Sequence, residues 1–425
     1  MKQDYKKISS YEGKKGDVKK VVLMYSGGLD TSCILKWIQD NYGAEVITLT
    51  LDLGQQVDDL EKIKQKALKL GAKKAYVLDV KDEFAEEYLA KLIKANGSYQ
   101  GDYHISTISR YLMAKKAIEI AEKEDADAIA HGCTGKGNDQ VRIEATALAL
   151  KPCIKIIAPV REWAMGRDEE MEYAKKHGIV VVQKQDFPYS SDDNMWGITW
   201  EGGEIEDNNA IPKIEKFLTV NLVENAPVNP EFIELGFEEG IPVSINNEKM
   251  KLSVLIEKLN KIGAKHGIGV TYMVEDRLVG LKIRGVYEHP GAHIIIEAHK
   301  KLEMFVSTRN ENEFKAIVDN KWSYLCYGAA WMEPLMDDLN AYCDKVNEKV
   351  TGKLKIKLYK GKAEIVALDS PYALYNKKLV TFNSDYSFNQ NASPGFIEIY
   401  SLPMKMAGQI KENNCGSCAD TNKGG

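Results

Sequence analysis

Val21-Val22-Leu23-Met24-Tyr25-Ser26-Gly27-Gly28-Leu29-Asp30-Thr31-Ser32 sets a short apolar run directly before a loop of glycines and hydroxyls. The run reads as a buried strand. The two glycines let the backbone turn tightly and bring its N–H groups close to an anion, and Ser26, Thr31 and Ser32 add hydroxyl donors. Beyond the loop Cys33, Ile34, Trp37 and Ile38 recur at helical spacing. The loop therefore opens a helix whose positive N-terminal end faces a bound phosphate. No Gly-Lys-Ser/Thr closes the loop and there is no Gly-x-Gly-x-x-Gly pattern, so neither a γ-phosphate lysine nor a dinucleotide fingerprint is present. Asp30 fits a magnesium-coordinating carboxylate.

The rest of the chain alternates strand and helix signals. Val46 to Leu51, Ala75 to Leu78, Ala128 to Ala130 and Ile154 to Ile157 read as strands. Leu60/Ile63/Ala67/Leu70, Phe84/Tyr88/Leu89/Leu92 and Ala114/Ala117/Ile118/Ala121 mark helices between them. Such alternation implies an α/β fold with a doubly wound parallel sheet and ligands at the carboxyl ends of its strands. Near Phe187 to Asn209 it gives way to an aromatic and acidic loop, where a boundary belongs. An α+β domain follows, with hairpins at Asn246-Asn247 and Lys360-Gly361, a helix through Leu255, Leu259 and Ile262, a strand from Val279 to Tyr287 and a helix after Pro290-Gly291. The expected organisation is a leader over 1–20, a nucleotide-binding domain over 21–186, an α+β synthetase and multimerisation domain over 187–380, a C-terminal arm over 381–411 and a disordered tail over 412–425. Phe396 to Lys411 starts as an apolar, strand-like segment expected to pack on a neighbouring subunit.

Composition narrows the function classes. A net charge of −5 over 425 residues argues against a large nucleic-acid footprint. No run of about 18 apolar residues offers a membrane span, and the charged N-terminus lacks a signal core, so a cytoplasmic protein is expected. The seven cysteines do not form a disulfide framework. The Cys415/Cys418 pair in the polar tail has no second pair or histidines to complete a zinc site. His131, His266 and His299 read as structural residues.

A second polar cluster, His131-Gly132-Cys133-Thr134-Gly135-Lys136-Gly137-Asn138-Asp139-Gln140-Val141-Arg142, follows the strand at Ala128. Its mixture suits an amino acid: Arg or backbone N–H for the carboxylate, Asp139 for the ammonium, Thr134 and Asn138 for orientation. Lys136 can neutralise charge developing on an α-phosphate.

The first loop resembles that of the ATP pyrophosphatases, which transfer AMP and release pyrophosphate. Together with Ala158-Pro159-Val160-Arg161-Glu162-Trp163, Glu201-Gly202-Gly203, His266-Gly267-Ile268-Gly269, Val274-Glu275-Asp276-Arg277 and Arg284-Gly285-Val286-Tyr287-Glu288, the two loops make the chain from Val21 to Lys411 resemble the argininosuccinate synthases. That resemblance implies an AMP-forming ligase of arginine biosynthesis and the urea cycle, a homotetramer that condenses citrulline with aspartate through a citrullyl adenylate, using ATP and Mg2+. It implies ATP contacts at Met24, Tyr25, Ser26, Gly27, Gly28, Leu29, Asp30, Thr31, Ser32, Leu51, Gly132, Thr134, Gly135, Lys136 and Gly137. Aspartate would meet Thr134, Asn138 and Asp139; citrulline would meet Tyr103, Thr107, Asn138, Arg142, Ser190, Thr199, Glu275 and Tyr287. Asp30, Lys136 and Asp139 would carry the chemistry, Asp30 with an indirect hold on magnesium.

The sequence departs from that family beside the acceptor. After Tyr103 the family usually reads Pro-Leu-Ser-Thr-Ser-Leu-Ala-Arg-Pro, whereas here His104 to Tyr111 is one residue shorter, leaving Thr107 or a shifted Ser109 for the serine contact. Thr199 replaces serine, Val270 arginine, Tyr272 aspartate and Ile283 serine. A relative adenylating another ureido or amide acceptor, a tRNA-modifying sulfur transferase and a non-catalytic protein on the same fold are the competing readings.

Overall fold

A computed structural model describes residues 15–56, 59–163, 165, 167–179, 188–381 and 388–415. Most of the leader, the boundary expected at 186/187 and residues 416–425, including Cys418, lie outside the described residues.

The apolar runs form a parallel five-stranded sheet in the order β3-β2-β1-β4-β5. Its strands are β1 (Lys20–Met24), β2 (Glu45–Asp52), β3 (Lys74–Asp79), β4 (Ala128–Ala130) and β5 (Lys155–Ile157). The chain leaves β1 for β2 on one side and returns to β4 on the other, with Val21 opposite both Val46 and Ala128. This is a topological switch point, and it sets the loops after β1 and β4 side by side at the carboxyl edge. Helix α1 (Leu29–Tyr42) follows the first loop and buries Ile34, Leu35 and Ile38 against the sheet. Helix α2 (Leu60–Lys69) precedes β3, α3 (Ser109–Lys123) precedes β4, and α4 (Asp139–Leu150) begins inside the second polar cluster. The helix expected around Phe84 to Leu92 is present, but its middle, Phe84–Leu89, is wound as a π-helix.

The segment 187–209, expected to be a loop, is largely a hairpin of β6 (Tyr189–Asn194) and β7 (Gly197–Gly202). Its polar residues hid the alternation because several of them face a polar cavity rather than an apolar core. The hairpin joins β11 (Val270–Asp276) and β12 (Lys282–Glu288) in an antiparallel sheet of order β11-β12-β7-β6. The strand expected from Val279 starts only at Lys282, after a turn in which Gly280 takes φ +84°. A third sheet has the order β10-β9-β8-β13-β14. It contains β8 (Glu231–Glu238), β9 (Ile241–Ile245), β10 (Glu248–Lys249), β13 (Gly352–Tyr359) and β14 (Lys362–Asp369). Both expected hairpin turns are there, with left-handed Asn246, Asn247, Lys360 and Gly361. Helices α5 (Leu252–Lys265), α6 (Pro290–Val306), α7 (Arg309–Tyr327) and α8 (Pro334–Asn347) complete this part. One apolar core runs from Val22 of the first sheet through Trp196 and Trp322 to Leu358.

Residues through Ala373 form one compact unit and those from Leu374 a second. In the second, the segment expected to start as a strand is helical: α9 (Ser393–Tyr400) is followed by α10 (Leu402–Cys415). A short apolar run does not distinguish strand from helix, and Pro394 in the first turn fits the helix. Helix α10 also carries order past Lys411, where a disordered tail was expected to begin.

Helix α7 opens with a capping box: the Thr308 hydroxyl accepts from the Glu311 N–H, and the Glu311 carboxylate from the Thr308 N–H. Thr308→Ala should lower stability by about 1 kcal/mol, read as a lower urea midpoint at unchanged slope.

Candidate functional site

The loop after β1 and the loop after β4 open onto one cavity of about 1130 Å³, whose opposite wall is built from β6, β7, β11 and β12. On the first loop, Gly27 takes φ +80°, and a Cβ there would meet Ile63 at 2.9 Å. Lys66 donates to the Gly27 carbonyl at 2.7 Å, and Ser26 Oγ lies 3.1 Å from Thr31 Oγ1. Gly28 caps α1 without a side-chain hydrogen bond. Backbone N–H groups and hydroxyls thus dominate the start of α1, which suits an anion.

Of the residues expected to meet ATP, Met24, Tyr25, Ser26, Gly28, Leu29, Asp30, Thr31, Leu51, Gly132, Thr134 and Gly137 line the cavity. Gly27, Ser32, Gly135 and Lys136 do not line it. Ser32 is buried, its hydroxyl donating to the Gly28 carbonyl at 2.6 Å and lying 3.0 Å from the Tyr25 hydroxyl. Lys136 is exposed, and its carbonyl accepts from Arg277 at 3.3 Å. All of the acceptor candidates, Tyr103, Thr107, Asn138, Arg142, Ser190, Thr199, Glu275 and Tyr287, line the same cavity, as does Asp139.

Asp139 is the electrostatic centre. One carboxylate oxygen accepts from Arg110 Nε at 2.9 Å and the other from Arg142 Nη1 at 2.8 Å. Burial raises its pKa, but the two guanidinium groups prevail and hold it below the usual carboxylate range. Arg110 also reaches Asp192 of β6 at 2.5 Å. Next to it, burial raises the Asp193 carboxyl to about 6, although the Gln56 N–H donates to it at 2.8 Å. Glu201 pairs with Arg277 at 2.6 Å. Glu275, on β11, accepts from the hydroxyls of Tyr287 and Tyr327. Sequence reading missed Arg110, Asp192, Asp193, Glu201, Arg277 and Tyr327 as site residues.

The shortened segment after Tyr103 closes through a left-handed Ile105, φ +45°, and a single 3-10 turn over Ser106–Ile108. A β-branched residue there is costly. The turn brings the Thr107 N–H to the Tyr103 hydroxyl at 3.1 Å. Ser109 is fully buried, takes hydrogen bonds from Arg110 and Asn194, and does not line the cavity. Thr107 is therefore the hydroxyl that this segment presents.

Behind the second loop His131 pairs with Glu144 at 2.9 Å, and Glu144 also accepts from Arg161 at 2.6 Å. His266 pairs with Glu231 at 3.0 Å, and His299 lies 2.7 Å from both Asn96 and Asn347.

A phosphate-type α/β sheet that shares one cavity with a pocket of paired charges and polar side chains suits a synthetase that uses a nucleotide. The arginosuccinate synthase N-terminal HUP domain matches residues 20–180, and the arginosuccinate synthase C-terminal domain matches residues 189–407. Argininosuccinate synthase of Geobacillus kaustophilus is 48% identical over 399 residues, 94% of this chain and 98% of that protein. Argininosuccinate synthase of Pyrococcus furiosus is 50% identical over 389 residues, 91% of this chain and 94% of that protein. The chain belongs to the argininosuccinate synthase family, and its activity is that of this ATP-dependent ligase.

Burial alone would lower the His131 pKa, but the neighbouring Cys133 and the Glu144 carboxylate raise it from 6.5 to about 9. A raised folded-state pKa stabilises fully below about pH 6.5, and the contribution is lost as pH rises through about 9. Stability should therefore fall by roughly 1–3 kcal/mol between those limits, seen as a declining urea midpoint. Glu144→Gln should flatten the decline.

Proposed function

We propose that the cavity binds ATP, citrulline and aspartate together and joins the two amino acids in two displacements. In the first, the ureido oxygen of citrulline attacks the α-phosphorus, the bond to the β-phosphate breaks and pyrophosphate leaves. In the second, the aspartate amine attacks the ureido carbon, AMP leaves with the former ureido oxygen, and the amine gives up a proton. Neither step needs a protein nucleophile, so orientation and charge stabilisation carry the catalysis. The observation that carries this reading is that one enclosure holds the loop after β1, the start of α4 and the strands bearing Thr199, Glu275 and Tyr287.

In this reading the start of α1, with Ser26, Gly28 and Thr31, holds the pyrophosphate. The exposed Lys136 serves the α-phosphate only if its side chain turns inward. Thr134, Asn138 and Asp139 orient aspartate; Tyr103, Thr107, Asn138, Arg142, Ser190, Thr199, Glu275 and Tyr287 orient citrulline. Among the described residues no group of three or more His, Cys, Asp or Glu could hold a metal ion by itself. A single carboxylate, Asp30, beside the phosphate hydroxyls fits Mg2+ shared with substrate phosphates, which would supply charge neutralisation of the leaving pyrophosphate.

Among the described residues no helix is long and apolar enough to cross a membrane. Among the described residues Cys133, Cys153, Cys326 and Cys343 are free thiols, as suits a reducing setting. Helices α9 and α10 expose Phe396, Ile397, Ile399, Tyr400, Met404 and Met406. Such a face supports packing against further copies of the chain in a homotetramer. Light scattering should find a tetramer for the full chain and smaller species once residues 382–425 are removed.

With citrulline and aspartate present, the enzyme should form AMP and pyrophosphate in step with argininosuccinate; ADP and phosphate as direct products would overturn the reading. Asp139→Ala should cost about 2–4 kcal/mol in transition-state stabilisation, or roughly 30- to 1000-fold in kcat/KM for aspartate. An unchanged value would remove Asp139 from the site.

A further inference from the structure

We propose that Tyr327, the last residue of α7, is a positioning residue that holds Asn138, Arg142 and Glu275 in the one arrangement that receives the acceptor. The inference rests on the assignment of those three side chains to the acceptor.

Tyr327 is 1% exposed and lies behind the cavity wall rather than in it. Its hydroxyl accepts from Asn138 Nδ2 at 2.7 Å and donates to Glu275 Oε1. Because a hydroxyl has one proton, giving it to Glu275 makes the oxygen an acceptor for the Asn138 amide. The Leu278 N–H donates to Asn138 Oδ1 at 2.8 Å, so the amide is held at both ends and in one flip state. The second oxygen of Glu275 accepts from Tyr287, leaving a buried carboxylate framed by two hydroxyls.

The backbone of the same residue holds the cation. The last carbonyls of a helix lack intrahelical partners and carry the negative end of its dipole. The Tyr327 carbonyl accepts from Arg142 Nε at 3.1 Å and Nη2 at 2.9 Å, and its ring lies 4.7 Å below the guanidinium carbon. Arg142 is thereby turned so that Nη1 faces Asp139. The Tyr327 ring is itself fixed: it stacks on Tyr99 with centroids 3.6 Å apart and planes 3° apart. Tyr99 in turn donates to the Asp276 carbonyl at 2.9 Å, next to Glu275. A single residue more than 180 positions downstream of Asn138 therefore sets an amide, a guanidinium and a carboxylate of the acceptor wall.

Tyr327→Phe removes the hydroxyl while keeping the ring and the carbonyl. With the full-length enzyme, KM for the acceptor should rise roughly 10- to 100-fold, as expected for a buried carboxylate losing one donor, while KM for ATP stays within about twofold and KM for aspartate, which shares only Asn138, rises less than that for the acceptor. An unchanged acceptor KM, or an equal rise in all three constants, overturns the proposal. The split is read with whichever ureido acid the wild-type enzyme turns over, so failure with citrulline counts against the function and not against Tyr327. Calorimetric binding of that acceptor to Tyr327→Phe, Glu275→Gln and the double variant gives a second reading independent of turnover. If the hydroxyl acts through Glu275, the double variant binds about as weakly as the worse single one; fully additive losses overturn the proposal.

Discussion

The ion network centred on Asp139 is the constraint on which the site depends. Arg110 at the start of α3, Asp139 and Arg142 on α4 and Asp192 on β6 come from three elements of two differently built sheets and their helices, yet they meet at 2.5–2.9 Å. Arg142 is buried and Arg110 largely so, and a guanidinium withdrawn from water without a carboxylate is expensive. Removing one partner strands the others, so the network is satisfied only when the parallel sheet and the β6–β7 hairpin are in register. Catalytic geometry and assembly of the cavity are in this sense one requirement.

Helix ends supply the fixed fields around that network. The parallel sheet places the N-terminus of α1 at its carboxyl edge and starts α4 within the second loop. Both positive ends suit anionic substrate groups. The negative end of α7 arrives from the far side, where it meets Arg142 rather than an anion. The polarity of the cavity thus follows from the direction in which three helices run, and side chains refine it.

What could be read in the sequence was what is local. Ser26 to Ser32 and His131 to Arg142 carry their chemistry on consecutive residues, so their place at the carboxyl ends of strands followed from βα alternation, whereas their being neighbours comes from the strand order. The hairpin at Tyr189 to Gly202 was hidden because Asp192, which pairs with Arg110, and Asp193, which accepts from the Gln56 N–H, occupy strand positions, which erases the hydrophobic alternation. Arg110 and Tyr327 were hidden for another reason: their partners lie 29 and 189 residues away, and no spacing rule connects them. The segment after Phe396 failed as a strand because its apolar residues fit either period.

The positions at which the sequence reading expected departures from the family do not bear equally on acceptor choice. Val270, Tyr272 and Ile283 sit on β11 and β12, but none of them lines the cavity, and Tyr272 is half exposed. Thr199 does line it and keeps a hydroxyl where the resemblance led us to expect serine. The shortened segment is different in kind. A left-handed Ile105 holds a 3-10 turn whose Thr107 N–H meets the Tyr103 hydroxyl, with Tyr103 packed 4.8 Å from Tyr287. The strain at Ile105 is met by complete burial of its side chain, so the turn is anchored by packing rather than left to adapt to a ligand. Any change in acceptor relative to the family would therefore arise at Tyr103 and Thr107, where one wall of the pocket has been rebuilt. The opposite wall, held by Tyr327, keeps the amide, guanidinium and carboxylate that the family resemblance assigns to citrulline.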